Sequence, residues 1–132
     1  MREILFRGKT ERGEWVKGVP FFGEYRCYII EDLFICDEYE CVGADNDLVI
    51  PETVGQYTGL TDKNGKKIFE GDIIKADNWL HQNMKIYTIV FENSGFYAKH
   101  KDEDCWNFDH LENIEIIGNI HDNPELLKDG AE

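Results

Sequence analysis

Residues 56–75 read QYTGLTDKNGKKIFEGDIIK, and two short phrases inside this stretch decide the fold. Asn64-Gly65 is the strongest short-range signal for a two-residue hairpin turn, because both central residues of a type I′ turn need positive φ, which Asn tolerates and Gly adopts freely. Glu70-Gly71-Asp72 is a second turn, and it feeds the apolar run Ile73-Ile74-Lys75-Ala76. Hairpin, turn and strand in immediate succession announce an antiparallel β structure.

The same alternation of strand and turn continues in both directions. Residues 86–92 form a strand-like run, Asn93-Ser94-Gly95 turns it into residues 96–99, and residues 114–120 make a further apolar strand ended by Asn123-Pro124. Glu125 to Lys128 has room for a helical turn, with Pro124 at a favourable first position. Toward the N-terminus, residues 4–6, 14–22 and 25–30 read as strands broken by Gly8, Gly13 and Gly23, while residues 33–42 are apolar and acidic without a clear period. Leu48-Val49-Ile50 is a short run stopped by Pro51, which places a boundary near residues 52–55. The chain is therefore expected to be mainly β (β-rich α+β). Residues 1–55 form a variable N-terminal β-rich region, and residues 56–132 a small β-barrel with a C-terminal tail.

Composition supports a folded chain and narrows its partners. At 132 residues it can bury about two-thirds of its unfolded surface, and 42% hydrophobic residues with 8 Phe, 6 Tyr and 3 Trp argue against disorder. Fourteen Lys and Arg against 27 Asp and Glu give a net charge of −13, a field that opposes contact with phosphate. The charge is uneven. Residues 21–58 carry nine acids and one base, residues 102–132 ten acids and one base, and residues 59–101 seven bases and five acids. No apolar run approaches the roughly 20 residues of a membrane helix, and the N-terminus has no apolar stretch of signal-peptide length. The expected setting is cytoplasmic, with Cys27, Cys36, Cys41 and Cys105 as reduced thiols.

Three phrases in order, QYTGLTDKNGKKIFEGDII, YTIVFENSGFY and IEIIGNIHDNPELL, resemble the YopX-like family of bacteriophage and prophage proteins, as does the opening MREILFRG. The likeness is close over residues 56–127 and loose over residues 15–53. It implies a phage or prophage origin, a bacterial host cell, and an SH3-like barrel in the C-terminal half. It brings no known activity and no functional residues.

Familiar chemical signatures fail on spacing. Five residues separate Gly59 from Gly65 where a phosphate-binding loop has four, and Lys66 is followed by Lys67 in place of Ser or Thr. Asp62-Lys63-Asn64-Gly65 opens like a calcium loop, but its Gly is fourth and not sixth. The four cysteines and His81, His100, His110 and His121 contain no Cys-x-x-Cys, so no zinc is expected. Cys27 and Cys36 lie in apolar surroundings and read as small core residues. Ser94, the one serine, sits in an Asn-Ser-Gly turn, and Cys105 follows Asp102, Glu103 and Asp104, whose charge disfavours its thiolate.

What remains is recognition by aromatics beside acids. Trp15, Phe21, Phe22 and Tyr25 in the variable half and Trp79, Trp106 and Phe108 in the barrel half are the aromatics in question, and most belong to the core. Trp79 and Trp106 lie in polar, loop-like contexts and, with Asp102, Glu103 and Asp104, are the candidate partner contacts. The reading is a non-enzymatic accessory protein with no cofactor or metal, acting through protein–protein interaction. Its sharpest form is an acidic decoy for a basic partner. Self-association stays open. The alternatives are an enzyme using carboxylates or a metal, and nucleic-acid binding through the basic band of residues 63–85.

Overall fold

The computed structural model describes residues 5–22, 26–30, 46–78, 83–92, 95–100 and 105–127. Among them are ten strands and two short 3-10 turns. The chain divides into two compact units, Met1–Tyr57 and Thr58–Glu132, at a point inside a single strand.

In the N-terminal unit, β1 (Phe6–Lys9), β2 (Trp15–Phe22) and β3 (Cys27–Ile30) follow one another in antiparallel order, and β4 (Asn46–Thr61) pairs with both β3 and β1. Cys27, Ile29 and Val49 are buried at its centre, with Phe6, Val16 and Val54 packed against them. Cys27 is thus a core residue, and burial pushes its thiol pKa up, which keeps it protonated and inert.

Pro51 does not stop the strand. The six residues of β4 from Ile50 to Gly55 are matched by three of β1, from Lys9 to Arg7, so the chain makes a bulge there. Within that excursion the Thr53 hydroxyl accepts from Lys9 N (2.8 Å) and donates to Ile50 O (2.6 Å). A proline, which has no N–H to give to a ladder, is tolerated at such a position. The expected break is a bulge within one 16-residue strand.

The C-terminal unit begins with the end of β4 turning into β5 (Lys67–Phe69). Beyond it β6 (Asp72–Asn78), β7 (Asn83–Glu92) and β8 (Gly95–Lys99) form the expected meander, flanked by β10 (Leu111–Asn119) beside β6 and β9 (Cys105–Trp106) beside β8. Ile68, Ile74, Ala76, Tyr87, Ile89, Ala98 and Leu111 make the core. The mainly β class read from the sequence holds. Edge strand β10 carries two register shifts and a positive φ of 55° at Asn113, irregularities that spoil an edge for pairing with another chain. The Glu70-Gly71 turn is held from three sides: Phe69 N donates to buried Asp72 Oδ2 (2.8 Å), Gly71 N to Ile89 O (2.8 Å), and Ile120 N to Gly71 O (2.9 Å). Gly71 has φ of 92°, which favours glycine. Pro124–Leu127 forms the helical turn expected after β10, as one turn of 3-10 helix.

Asn64-Gly65 is a hairpin tip, but not of type I′. Asn64 does not have positive φ; only Gly65 does, at 83°. Asp62 N donates to Lys66 O (2.8 Å) and Gly65 N to Asp62 O (3.0 Å), so three residues, Lys63 to Gly65, form the loop with Gly as its left-handed bulge residue. The Asp62 side chain selects this longer loop, because Oδ1 accepts from Asn64 N and Lys66 N, both at 2.9 Å. The β1–β2 connection repeats the design. Thr10 N donates to Glu14 O, Gly13 N (φ 89°) to Thr10 O, and Glu14 N to Thr10 Oγ1. Residues 10–14 and 62–66 thus share the pattern of a short polar acceptor, two residues, Gly and a charged residue.

Candidate interaction surfaces

Part of the outward face of the N-terminal unit is apolar where an antiparallel sheet facing water is usually polar. Along β3, Cys27 and Ile29 point into the core, which turns Tyr28 to the other face, where it is half-buried. Leu48 of β4 stands directly opposite Tyr28, and Val19 lies on the same face of β2, two residues from the position paired with Tyr28. Leu48 is 41% and Val19 38% exposed. Val19, Tyr28 and Leu48 therefore form a row across three adjacent strands, whereas Phe22, 62% exposed at the end of β2, pairs with core-facing Cys27 and so points to the opposite face. Sequence reasoning named Phe22 but passed over the other three. Their signal was CYII at residues 27–30, a strand apolar on both faces.

In the C-terminal unit, Trp106 is half-buried on β9, opposite Ala98, and packs against the core. Its ring meets His110 edge-on at 5.7 Å and 71°. Phe108 packs on the same core. Trp79, Asp102, Glu103 and Asp104 lie outside the described residues. So do His81, Cys36, Cys41 and residues 33–42.

The polar groups near Trp106 do not build a reactive centre. Cys105 Sγ donates to Glu92 Oε2 at 3.3 Å, and Lys99 Nζ lies 3.8 Å from Glu92 Oε1. A thiol that donates to a carboxylate is held as the thiol, the reverse of an activated nucleophile. His100, buried, donates from Nδ1 to Ile86 O at 2.9 Å and stacks edge-on against Tyr87 at 5.9 Å. Tyr87 OH accepts from Asn78 Nδ2 at 3.3 Å, inside the core. These groups support the meander.

The backbone N–H groups and the one carboxylate of the loop at residues 62–66 are engaged with each other and with β10. The N–H groups of Asn64, Gly65 and Lys66 are engaged by Asp62, and Asp62 Oδ2 accepts a third backbone N–H, from Ile116 at 3.1 Å. Burial alone would raise the Asp62 pKa. The N–H groups of Ile116, Lys66 and Asn64, with the Lys66 charge, outweigh it and hold the carboxyl below the ordinary aspartate value. In the basic band, Lys63 and Lys75 both lie beside Glu115, at 3.7 and 3.8 Å, which offsets part of its charge. Among the described residues no group of three His, Cys, Asp or Glu is placed to hold a metal ion, and no helix is long and apolar enough to cross a membrane.

Protein EF1440 from Enterococcus faecalis, known from a crystal structure, is similar to this chain at 26% identity and a TM-score of 0.62. The match covers 97% of this chain and 100% of that one. No curated protein matches. The family model described as YopX protein matches residues 6–128, nearly the whole of both units, and the chain belongs to the YopX protein family.

Proposed function

We propose that this is a phage or prophage accessory protein of the bacterial cytoplasm that works without catalysis, by binding another protein. The observation that carries this reading is the outward row of Val19, Tyr28 and Leu48. Grouped apolar side chains on a sheet face fit a contact surface better than singly scattered ones do. The net charge of −13 supplies the second element. Apolar contact gives a complex its lifetime, while a strongly acidic field speeds encounter with a basic partner and is screened by salt.

The test is capture from bacterial lysate at low and high salt, with wild type beside two variants. One carries Val19→Gln with Leu48→Gln, and the other neutralises Asp102, Glu103 and Asp104. A basic protein held by wild type at both salt concentrations and lost with the first variant supports the reading. Neutralisation is expected to slow association more than it speeds dissociation. Capture that is unaffected by the Val19 and Leu48 changes removes the apolar row from the function.

A further inference from the structure

We infer that Asn64 is a site of spontaneous covalent modification, through deamidation to aspartate and isoaspartate at the tip of the β4–β5 hairpin. The reaction needs a carboxamide free to rotate and a following backbone nitrogen free of steric cover. In it, the Gly65 nitrogen attacks Asn64 Cγ and gives its proton to water. The new N–Cγ bond closes a five-membered imide as the Cγ–Nδ2 bond breaks and ammonia leaves. Water then opens the imide at either carbonyl, leaving aspartate or isoaspartate.

Asn64 and Gly65 are both exposed, and a Cβ at Gly65 would meet no atom within 4 Å. Asn64 hydrogen-bonds only through its backbone N–H, to Asp62 Oδ1, so among the described residues its carboxamide has no partner. The other asparagines with described side chains differ on both counts. Asn78, Asn113 and Asn119 donate from Nδ2, and Asn107 and Asn123 accept at Oδ1. They are followed by Trp79, Ile114, Ile120, Phe108 and Pro124, all bulky, and Pro124 has no N–H to react.

The turn also restrains the reaction, because Gly65 N donates to Asp62 O at 3.0 Å and must leave it to reach Cγ. The folded chain should therefore react more slowly than the same chain in urea. Isoaspartate adds a methylene to the backbone between residues 64 and 65. That addition breaks the fit of the three-residue loop and draws Lys66 N away from Asp62.

The test is incubation of the full chain at neutral and mildly alkaline pH, with and without urea, followed by peptide mass mapping. Isoaspartate is assayed by enzymatic methyl transfer from S-adenosylmethionine. The expected result is carboxamide loss at Asn64 ahead of every other asparagine, faster at the higher pH and in urea. The aged chain should melt below both fresh protein and fresh Asn64→Asp, while Asn64→Gln keeps its melting temperature. Loss at another asparagine first, or an aged chain that melts with fresh Asn64→Asp, overturns the inference.

Discussion

Asp62 is the residue on which the start of the C-terminal unit depends, and its removal should be among the more damaging single changes to a polar side chain here. Its carboxylate accepts from Asn64 N, Lys66 N and Ile116 N at 2.9, 2.9 and 3.1 Å, while Lys63 N reaches Ile114 O at 2.8 Å. One side chain shapes the hairpin and fastens it to β10. Hydrogen bonds to a charged acceptor contribute about 1.5–3 kcal/mol each, less where water replaces the acceptor. Asn64 and Lys66 are exposed and recover water, but Ile116 is half-buried. Asp62→Ala is therefore expected to cost about 3 kcal/mol, most of it at Ile116. With a urea slope of about 1.5 kcal/mol per molar, the midpoint moves down by about 2 M. Asp62→Asn keeps one oxygen for the turn but sets an N–H against Ile116 N–H, so it should fall between wild type and alanine. The acid response follows from linkage. The folded carboxyl titrates below the ordinary range, so its contribution is complete above the unfolded value of about 3.9 and is lost as pH falls through the lower folded value. The gap between wild type and Asp62→Asn should stay constant from neutral pH to about 5 and close below about 4. An alanine variant within about 1 kcal/mol of wild type, or a gap that does not change in acid, is the outcome that contradicts this account.

Other expectations are as direct. Gly65→Ala meets no clash but must hold alanine at φ of 83°, so denaturant titration should show a loss of about 1 kcal/mol. Tyr87→Phe removes the hydroxyl that accepts from the fully buried Asn78 Nδ2 and should cost about 1 kcal/mol, visible as a lower thermal midpoint. Passage through a chelator should leave the melting curve unchanged, because the apolar residues alone supply both cores. A stoichiometric metal whose loss unfolds the chain refutes that expectation.

The meander was legible because residues 73–76, 86–92 and 96–99 are apolar runs bounded by turn residues, and local pattern suffices where strands pair with their sequence neighbours. The loop at residues 62–66 was misread in one respect. The dipeptide Asn64-Gly65 points to a two-residue turn, whereas the carboxylate two positions earlier decides the count. Thr10-Glu11-Arg12-Gly13-Glu14 carries the same cue, and together the two segments show that the acceptor matters as much as the glycine. Pro51 was misread because a bulge depends on β1, more than forty residues away in sequence. Trp106 looked like a loop contact among polar neighbours, yet a two-residue strand lays it against the core, a pairing too short to leave a pattern. The row of Val19, Tyr28 and Leu48 needed the register of three strands.

β4 carries the chain from one unit into the next without a linker: residues 46–49 pair with β3, residues 50–56 with β1, and its far end with β5. Insertions are absorbed by loops, but an extra residue in a strand reverses which face every later side chain takes. A single-residue insertion near Tyr57 would thus turn the last residues of β4 to the wrong face of their pairing with β5, although no contact residue had been lost. Recombination of this family should be constrained accordingly. Exchanges with crossover points in the β1–β2 or β4–β5 turns should be tolerated, whereas a junction between residues 54 and 60 succeeds only when the donor strand is spliced at the same position in its alternation.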